Sequence, residues 1–594
     1  MNLRVLALLL LLAGGGLHSC RTDPPAAAAG GHGPGVELKR TENVAAIVLR
    51  AEPDGLNPLV TTLGISRQVA RQIFQTLTDK DPRTFEQLPL LAGLPDISPR
   101  PGGGAAYAYE LSADAKWPNG LPVTAQDVVF SIKAMMNPLV EAGAYRPYYR
   151  VLSNVVTNPG NERRFTVETS EPYLLAEEAI GSLWIYPEYV YDPDRRLRNV
   201  RLADLLDEDR ARRLAETSQD LRAFAEAFND PAAARDPARI VGSGPYRLTE
   251  WRDGQRLRLE RRDDYWKKDE AIGPEALSFE IITDNNTIGN ALRDELVDVV
   301  VSLELDQFRE FREDDYLKAR YDFATVPSLK FFGILLNQRD PLLTDARVRR
   351  ALAHLVDVDL IIEQLFPGMA DRVTGPILPS RPYYRADLEA IPYDPERARA
   401  LLAEAGWTDT NGDGTVDREI DGQRRELRFE LLSFARPLSE AVSLVAAEGA
   451  ARAGVDITVV QREPRALYGE LNKGNFVASI YGLGYNPGPE DLTQNWASTS
   501  VPPNGTNRGG FADPEADRII RQISRSTDPE QRTPLYERFQ DIVYENQPLI
   551  FLFSPQDRVV VSKRFDYELT SIAPNVIYQN LRQRDWNRPG PAGD

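Results

Sequence analysis

From Val36 onward, segments that alternate apolar and polar residues give way repeatedly to segments with apolar residues at helical spacing, and no fixed-period repeat connects them. The succession is clearest where LSFEIITD (277–284) is followed by a helical stretch to Glu295 and then by VDVVVSL (297–303), which predicts a β–α–β unit. Asp253-Gly254, a strong turn dipeptide, separates EWR from RLRLERRDDYW (256–266) and predicts a hairpin. Helix starts are legible too. Thr124 precedes AQDVVFSIKAMM with Asp127 placed for a capping box, and Val128, Val129, Ile132, Met135 and Met136 form one apolar stripe. Asp394-Pro395, Asp513-Pro514 and Asp528-Pro529 open three more helices, the first stopping at Gly406. Pro534, inside the last of them, is expected to delay or kink it. The chain therefore reads as α/β, and its 594 residues supply material for roughly three or four compact units.

Scarce residues exclude more than common ones. Cys20 is the one cysteine, which rules out an intrachain disulfide, a thiolate zinc cluster or an iron–sulfur site. Of the three histidines, His18 and His32 fall in the leader and the stretch after it, leaving His354 inside the expected fold. A multi-histidine metal centre or a Ser–His–Asp triad has almost nothing to be built from, and no cofactor is expected. His354 shares a helix with Val348, Ala351, Leu352, Leu355 and Val356 at apolar spacing and reads as a packed or surface residue, not a catalytic one. The 88 acidic residues against 70 basic ones leave a formal charge of −18, which repels nucleic-acid backbones, so nucleic-acid binding is not expected.

Residues 1–20 read MNLRVLALLLLLAGGGLHSC, with Arg4 before an apolar run from Val5 to Ala13 that is too short to span a bilayer. The tail Leu17-His18-Ser19-Cys20 resembles the bacterial lipobox, in which the cysteine is acylated after cleavage. Residues 1–19 are thus expected to be a signal peptide and 20–40 a lipidated N-terminus and flexible tether, since RTDPPAAAAGGHGPG lacks apolar periodicity. The expected location is the cell envelope, in the periplasmic space or on the outer surface, with acyl chains on Cys20 holding the protein to the membrane.

Five separated blocks stand in order between about Val48 and Phe565: WPNGLPVTAQDVVFS (117–131), VGSGPYRLTEW (241–251) with RRDDYW (261–266), LLNQRDPLLTDARVRRALAHLVD (335–357), YDPERARALLAEAGW (393–407) and DPEQRTPLYERFQDIVYENQP (528–548). Together they resemble the extracytoplasmic solute-binding proteins of ABC importers in the oligopeptide/dipeptide/nickel class. The resemblance implies an α/β, two-lobed periplasmic-binding-protein-like fold (type II, class C) with an extra subdomain in the first lobe and a two-strand hinge. Lobe I is expected over 41–326, with the extra subdomain at about 71–185 and an inserted helical segment at about 192–239; lobe II over 327–556; and a return to lobe I over 557–594. The hinge crossings fall near Pro327 and Asp557. The charged 192–239 segment reads as an inserted helical hairpin or a mobile surface element. Gly242-Ser243-Gly244-Pro245 lacks the Lys-Ser/Thr of a phosphate loop and leads into a strand, so it reads as a turn.

Two segments correspond to places where relatives of this class touch ligand. DGLNPLVTTLG (54–64) offers Asn57, Thr61 and Thr62 as short polar contacts, or forms a turn that caps the next helix. FVASIYGLGYNPGPEDL (476–492) puts Gly482-Leu483 where peptide-binding relatives carry glycine–tryptophan, and Asn486 where they carry an aspartate for the peptide α-amino group. An amide supplies no charge to a buried ammonium; Glu490 or Asp491 stands nearby as a substitute anion. Tyr481, Tyr485 and Trp496 are candidates to stack on a ligand or to pack in the core. Asp409, Asn411, Asp413 and Asp417 follow a calcium-loop spacing in part, but Ile420 replaces the bidentate glutamate, so a weak calcium candidate competes with an Asp/Gly turn.

The function implied is a substrate-binding lipoprotein, not an enzyme, that captures a small organic solute such as an oligopeptide or dipeptide between two lobes. It would act as a monomer and deliver the solute to ABC permease transmembrane subunits. The alternatives are an extracytoplasmic hydrolase with paired carboxylates, which no nucleophile-elbow, zincin or phosphate-loop motif supports, or a sensory binding lipoprotein without transport.

Overall fold

The computed structural model describes residues 39–143, 145–267 and 273–584; the leader and Cys20 lie outside them. Strands run in the order Asp456–Arg462, Arg428–Phe434, Ala478–Gly484, Lys330–Leu336, Leu549–Ser562, Val299–Val301, Val44–Leu49, Ala276–Ile281, Arg256–Arg261 and Tyr246–Arg252. The fifth of these is shared. Its first half pairs antiparallel with Lys330–Leu336, from Leu335↔Leu549 to Phe332↔Phe553. Its second half pairs with Val299–Val301 and with Tyr321–Pro327, from Pro327↔Gln556 to Tyr321↔Ser562. Two α/β bodies therefore lean on one continuous 14-residue strand.

Strand alternation distributes the apolar side chains to both faces of each body. In the first body Ile47, Val299, Val559 and Val561 enter one core, while Val48, Val300 and Val560 enter the other with Ile288, Leu292 and Phe308. In the second, Ile334, Leu336, Ile480 and Leu552 face one core, and Phe331, Leu335, Tyr481 and Leu549 the opposite one. Burial on both faces explains why VDVVVSL reads as a continuous apolar run. The expected β–α–β unit forms as Ala276–Ile281, Asn285–Arg293 and Val299–Val301, with Val44–Leu49 lying parallel between its two strands. The hairpin around Gly254 also forms. Gly242 and Gly244 sit where a side chain would overlap the Ile73 backbone, and Gly244 N–H donates to the Ile73 carbonyl at 2.8 Å, so these glycines serve a close backbone approach.

The first body carries a four-stranded sheet, in the order Asp96–Pro99, Ala105–Glu110, Asn161–Thr169 and Leu152–Asn158, and a short hairpin, Thr78–Lys80 with Gln87–Pro89. The helix Ala125–Met136 packs beside them, and the Asp127 carboxylate accepts from Thr124 N at 2.9 Å and Thr124 Oγ1 at 3.0 Å, closing the capping box.

Two expectations need correction. The 192–239 segment takes the helical alternative, with helices Glu208–Thr217 and Gln219–Phe228, and is not a loose surface element: Leu197, Leu205, Leu221, Phe224 and Phe228 are buried in the first body's core. Phe224 meets Phe130 edge-on at 5.9 Å, and Phe228 meets Tyr186 at 5.3 Å. Lys133 Nζ and Asn137 Nδ2 donate to the Leu197 and Leu221 carbonyls at 2.9 and 3.0 Å, pinning the segment to the long helix. Its apolar stripe is real but diluted by charge on the other face. The second concerns Pro534, which neither delays nor divides the helix Pro529–Asn546. Pro534 and Glu530, whose carbonyl loses its partner, are exposed, so water satisfies the lost bond.

Both ends of the first body meet at one carboxylate. Asp298, 2% exposed, accepts from Ala46 N at 2.8 Å and lies 3.1 Å from Arg40 and 3.6 Å from Arg564. Lys39 and Arg40, at the end of the expected tether, are thus already tied to the fold, Lys39 N donating to Glu295 at 3.0 Å.

Phe224→Ala is expected to lower unfolding stability by about 3–5 kcal/mol, the range for emptying a buried aromatic site. Exposed Arg213→Ala should stay within about 0.5 kcal/mol. Urea unfolding of the two variants checks the contrast, and equal effects would return the segment to the surface.

Candidate functional site

The two bodies are joined where the chain crosses twice. Val326 pairs with Asp557 and Pro327 with Gln556, and residues 556–558 are the one stretch of the shared strand that is not fully buried. Asp557 Oδ1 receives Lys330 Nζ at 3.0 Å, and Asn575 Nδ2 lies 3.5 Å from Oδ2. Ser328 Oγ donates to the Pro555 carbonyl at 2.7 Å, and Ser554 Oγ to that of Lys330 at 2.8 Å. Pro327 and Asp557 thus sit side by side in the crossing.

Because Val44–Leu49 and Val299–Val301 run parallel, the loop after Val44–Leu49 leaves the sheet at the end nearest this crossing. Within it, Asp54 gathers Thr61, Thr62 and Ser66. Thr62 N and Oγ1 reach Oδ2 at 2.9 Å, Ser66 Oγ reaches Oδ1 at 2.6 Å, and Thr61 Oγ1 also donates to Oδ1. Partial burial opposes its charge, but these donors prevail and hold the Asp54 carboxyl well below the usual range. Asn57 is 3% exposed; its Nδ2 donates to the Phe228 carbonyl at 3.2 Å and its Oδ1 accepts from Tyr186 OH at 2.7 Å. Asn57, Thr61 and Thr62 are thus engaged within their own body, and no side chain caps the helix Gly64–Ala70 that follows.

Along Ala478–Gly484 the candidates divide. Tyr481, Leu483 and Trp496 line one cavity inside the second body, together with Arg508 and Phe511. Tyr481 OH accepts from Arg508 Nη1 at 3.0 Å, and Trp496 packs edge-on against Phe511 and Phe539. Gly482 faces away from it, toward the Phe332 ring. Tyr485 donates its hydroxyl to the Pro376 carbonyl and its N–H to that of Leu329 at 2.7 Å. Asn486 is exposed, and its carbonyl accepts from Arg381 Nη2 at 2.7 Å.

The charged groups at the seam between the bodies were less visible in the sequence. Arg381 and Glu490, 6% and 4% exposed, form an ion contact with Nε and Oε1 2.5 Å apart, though without donor–acceptor alignment. Tyr383 OH donates to the other Glu490 oxygen, and Tyr536, stacked on Tyr383 at 4.0 Å, donates to the Glu490 carbonyl at 2.6 Å. Burial disfavours the Glu490 charge more than Arg381 restores it, and Glu178 adds repulsion, so its pKa is pushed up to about 7. From the first body, Lys80 pairs with Glu178 at 2.8 Å and donates to the Pro487 carbonyl. Burial pushes the Lys80 ammonium down; Glu178 opposes this, while Arg381 and Arg71 reinforce it. Asp491 accepts from Thr493 N at 3.0 Å and from Tyr173 OH at 3.4 Å, and forms no ion pair among the described residues. Its charge is felt by Tyr148, Tyr173 and Tyr536.

The calcium reading gives way to a self-closed turn. Asp409 accepts from Gly412 N at 2.7 Å and Gly414 N at 2.9 Å, and Asp413 accepts from Thr415 N at 2.8 Å and Asn411 Nδ2 at 2.8 Å. Asp417, 3% exposed, is held by Thr410 and by Arg424 at 3.1 Å. No cluster of three or more His, Cys, Asp or Glu side chains suited to a metal occurs among the described residues. His354 is packed, with Nδ1 2.9 Å from the Pro392 carbonyl.

The family model described as bacterial extracellular solute-binding proteins, family 5 Middle, matches residues 102–504. The oligopeptide-binding protein AppA of Bacillus subtilis (strain 168) is 24% identical over 519 residues, covering 87% of each chain. The di/tripeptide-binding protein 2 of Pseudomonas aeruginosa is 25% identical over 519 residues, 86% of this chain and 89% of its own. The structure of AppA with a nonapeptide superposes with a TM-score of 0.66 at 22% identity, covering 91% of this chain and 99% of that one, a likeness of fold.

Because the folded state raises the Glu490 pKa above the ordinary 4.5, the linked stabilisation is complete below that value and is lost as pH rises through about 7. Glu490→Gln imitates the protonated form and lacks this slope. The wild-type thermal midpoint, measured against the variant, should therefore fall between about pH 5 and about pH 8. A difference that stays flat or grows would mean that Arg381 keeps the carboxylate charged throughout.

Proposed function

The chain belongs to the family 5 bacterial extracellular solute-binding proteins, and from that premise we propose that it captures a short peptide or similar zwitterion at the seam of its two bodies and releases it unchanged. It is a substrate-binding protein of an ABC transporter; its family binds peptides or other small ligands and works with ABC permeases. The observation that carries the peptide reading is the pairing of opposite charges at the seam. Asp491, bordered by Tyr148 and Tyr173, offers an anion without a cation partner among the described residues, while Arg71 and Lys80 supply positive charge from the first body. An ammonium taken out of water needs such an anion. Asp491, not Asn486, is the group we assign to it. Relatives named for oligopeptides and for di- and tripeptides support the same class.

The same reading places the protein at the cell envelope as a monomer, with Cys20 as its lipid attachment. Among the described residues no helix is long and apolar enough to cross a membrane. Cys20→Ser is then expected to move the protein from the membrane fraction to the soluble one, read by fractionation and immunoblot.

For binding itself, free tripeptides should raise the thermal midpoint, and native mass spectrometry should recover them intact. Asp491→Asn should weaken such peptides about tenfold to a hundredfold, the value of one charged hydrogen bond, and leave N-acetylated peptides unaffected. Binding that ignores acetylation, or peptides returned as fragments, defeats the reading.

A further inference from the structure

The hairpin Thr78–Lys80/Gln87–Pro89 projects from the first body and touches the second at two points. Lys80 Nζ donates to the Pro487 carbonyl while holding Glu178 at 2.8 Å, and the Glu178 carboxylate occupies the space that a side chain at Gly488 would need. Beyond Lys80, Phe85 places its ring 5.3 Å from the Arg381 guanidinium. Phe85 has φ +63°, a left-handed conformation that bulky residues avoid unless their surroundings impose it. Here the surroundings do impose it. Asp81 accepts from Arg83 N and Thr84 N at 2.8 Å, and Phe85 N donates back to the Asp81 carbonyl at 3.0 Å. Thr570 Oγ1 donates to the Pro82 carbonyl at 2.8 Å, and Arg83 meets Glu568 at 3.1 Å, so the tip is braced against the C-terminal return of its own body.

A rigid, strained tip aimed at the opposite body is a gripping device. The surface it grips is the stretch from Asn486 to Asp491, which Arg381 supports from beneath through the Asn486 carbonyl and Glu490. A second contact lies elsewhere on the same seam: Leu174 N donates to the Ser524 carbonyl at 2.8 Å, and the Leu174 side chain is buried in the second body's core. Leu174 reports on closure without touching the hairpin.

We infer that Lys80 and Phe85 are positioning residues: the hairpin clasps the 486–491 loop, holds the two bodies together in the absence of solute, and fixes that loop in the geometry the solute meets. The inference goes beyond the peptide reading and does not depend on which solute is bound. Closure in this protein is then set partly by protein–protein contacts, and a solute adds its differential contacts to an equilibrium already biased toward the shut form.

Hydrogen exchange of the full, ligand-free chain tests this. The Leu174 amide is protected only while the bodies touch, and Val44–Leu49 amides report global stability. Lys80→Ala combined with Phe85→Ala should speed exchange at Leu174 by about tenfold or more, while the Val44–Leu49 amides hold their rates. Lys80→Arg, which keeps the cation, should restore most of the protection. Leu174 exchange within about twofold of wild type in the double variant would overturn the clasp. So would equal acceleration in Val44–Leu49, since that would mark plain destabilisation. The acetylation test decides peptide binding separately, because its variant, Asp491→Asn, leaves Lys80 and Phe85 in place.

Discussion

The shared strand Leu549–Ser562 is the constraint from which the rest of the architecture follows. Each body completes its sheet with half of it, so neither body has a finished core without the other's chain passing through. A hydrogen-bonded ladder resists bending along most of this strand; it is irregular opposite Phe332–Gly333 and changes partners further on. That change falls at residues 554–557, opposite Pro327 and Ser328, and it coincides with the one partly exposed stretch of the strand. Rotation of one body against the other has a single inexpensive place to occur.

What surrounds the seam follows from that freedom. The seam is largely polar, with Lys80, Glu178, Arg381, Glu490 and Asp491 and tyrosine hydroxyls between them, although the Leu174 side chain crosses it into the second body's core. The buried pair is the exception. Arg381 and Glu490 both belong to the second body, so their desolvation is met once, in folding, and is not repeated at every closure. The hydrogen bonds that cross the seam, from Lys80 to the Pro487 carbonyl and from Tyr173 to Asp491, are only part-buried, which keeps the contact reversible.

Much of the fold was legible because its signals are local. The Thr124–Asp127 box, the Asp394-Pro395 helix start and the Asp253-Gly254 hairpin each announce themselves within a few residues. The site was less legible. Asn57, Thr61 and Thr62 read equally as ligand contacts or as a turn, because short polar residues in a loop serve both, and two of the partners that hold them here, Phe228 and Tyr186, lie far along the chain. Arg381 sits in LPSRPYY, a stretch without pattern, and its partners lie far along the chain. Asp491 was visible as an anion near Asn486, but nothing in the sequence said that Tyr173 would approach it from the other body.

The convergence of Arg40 and Arg564 on Asp298 has a mechanical consequence. Arg40, near the first described residue, and Arg564, just after the shared strand, are held to the same half of the molecule, at the end of its sheet away from the pivot. The half that swings carries neither of these contacts, so its motion leaves both of them unbroken.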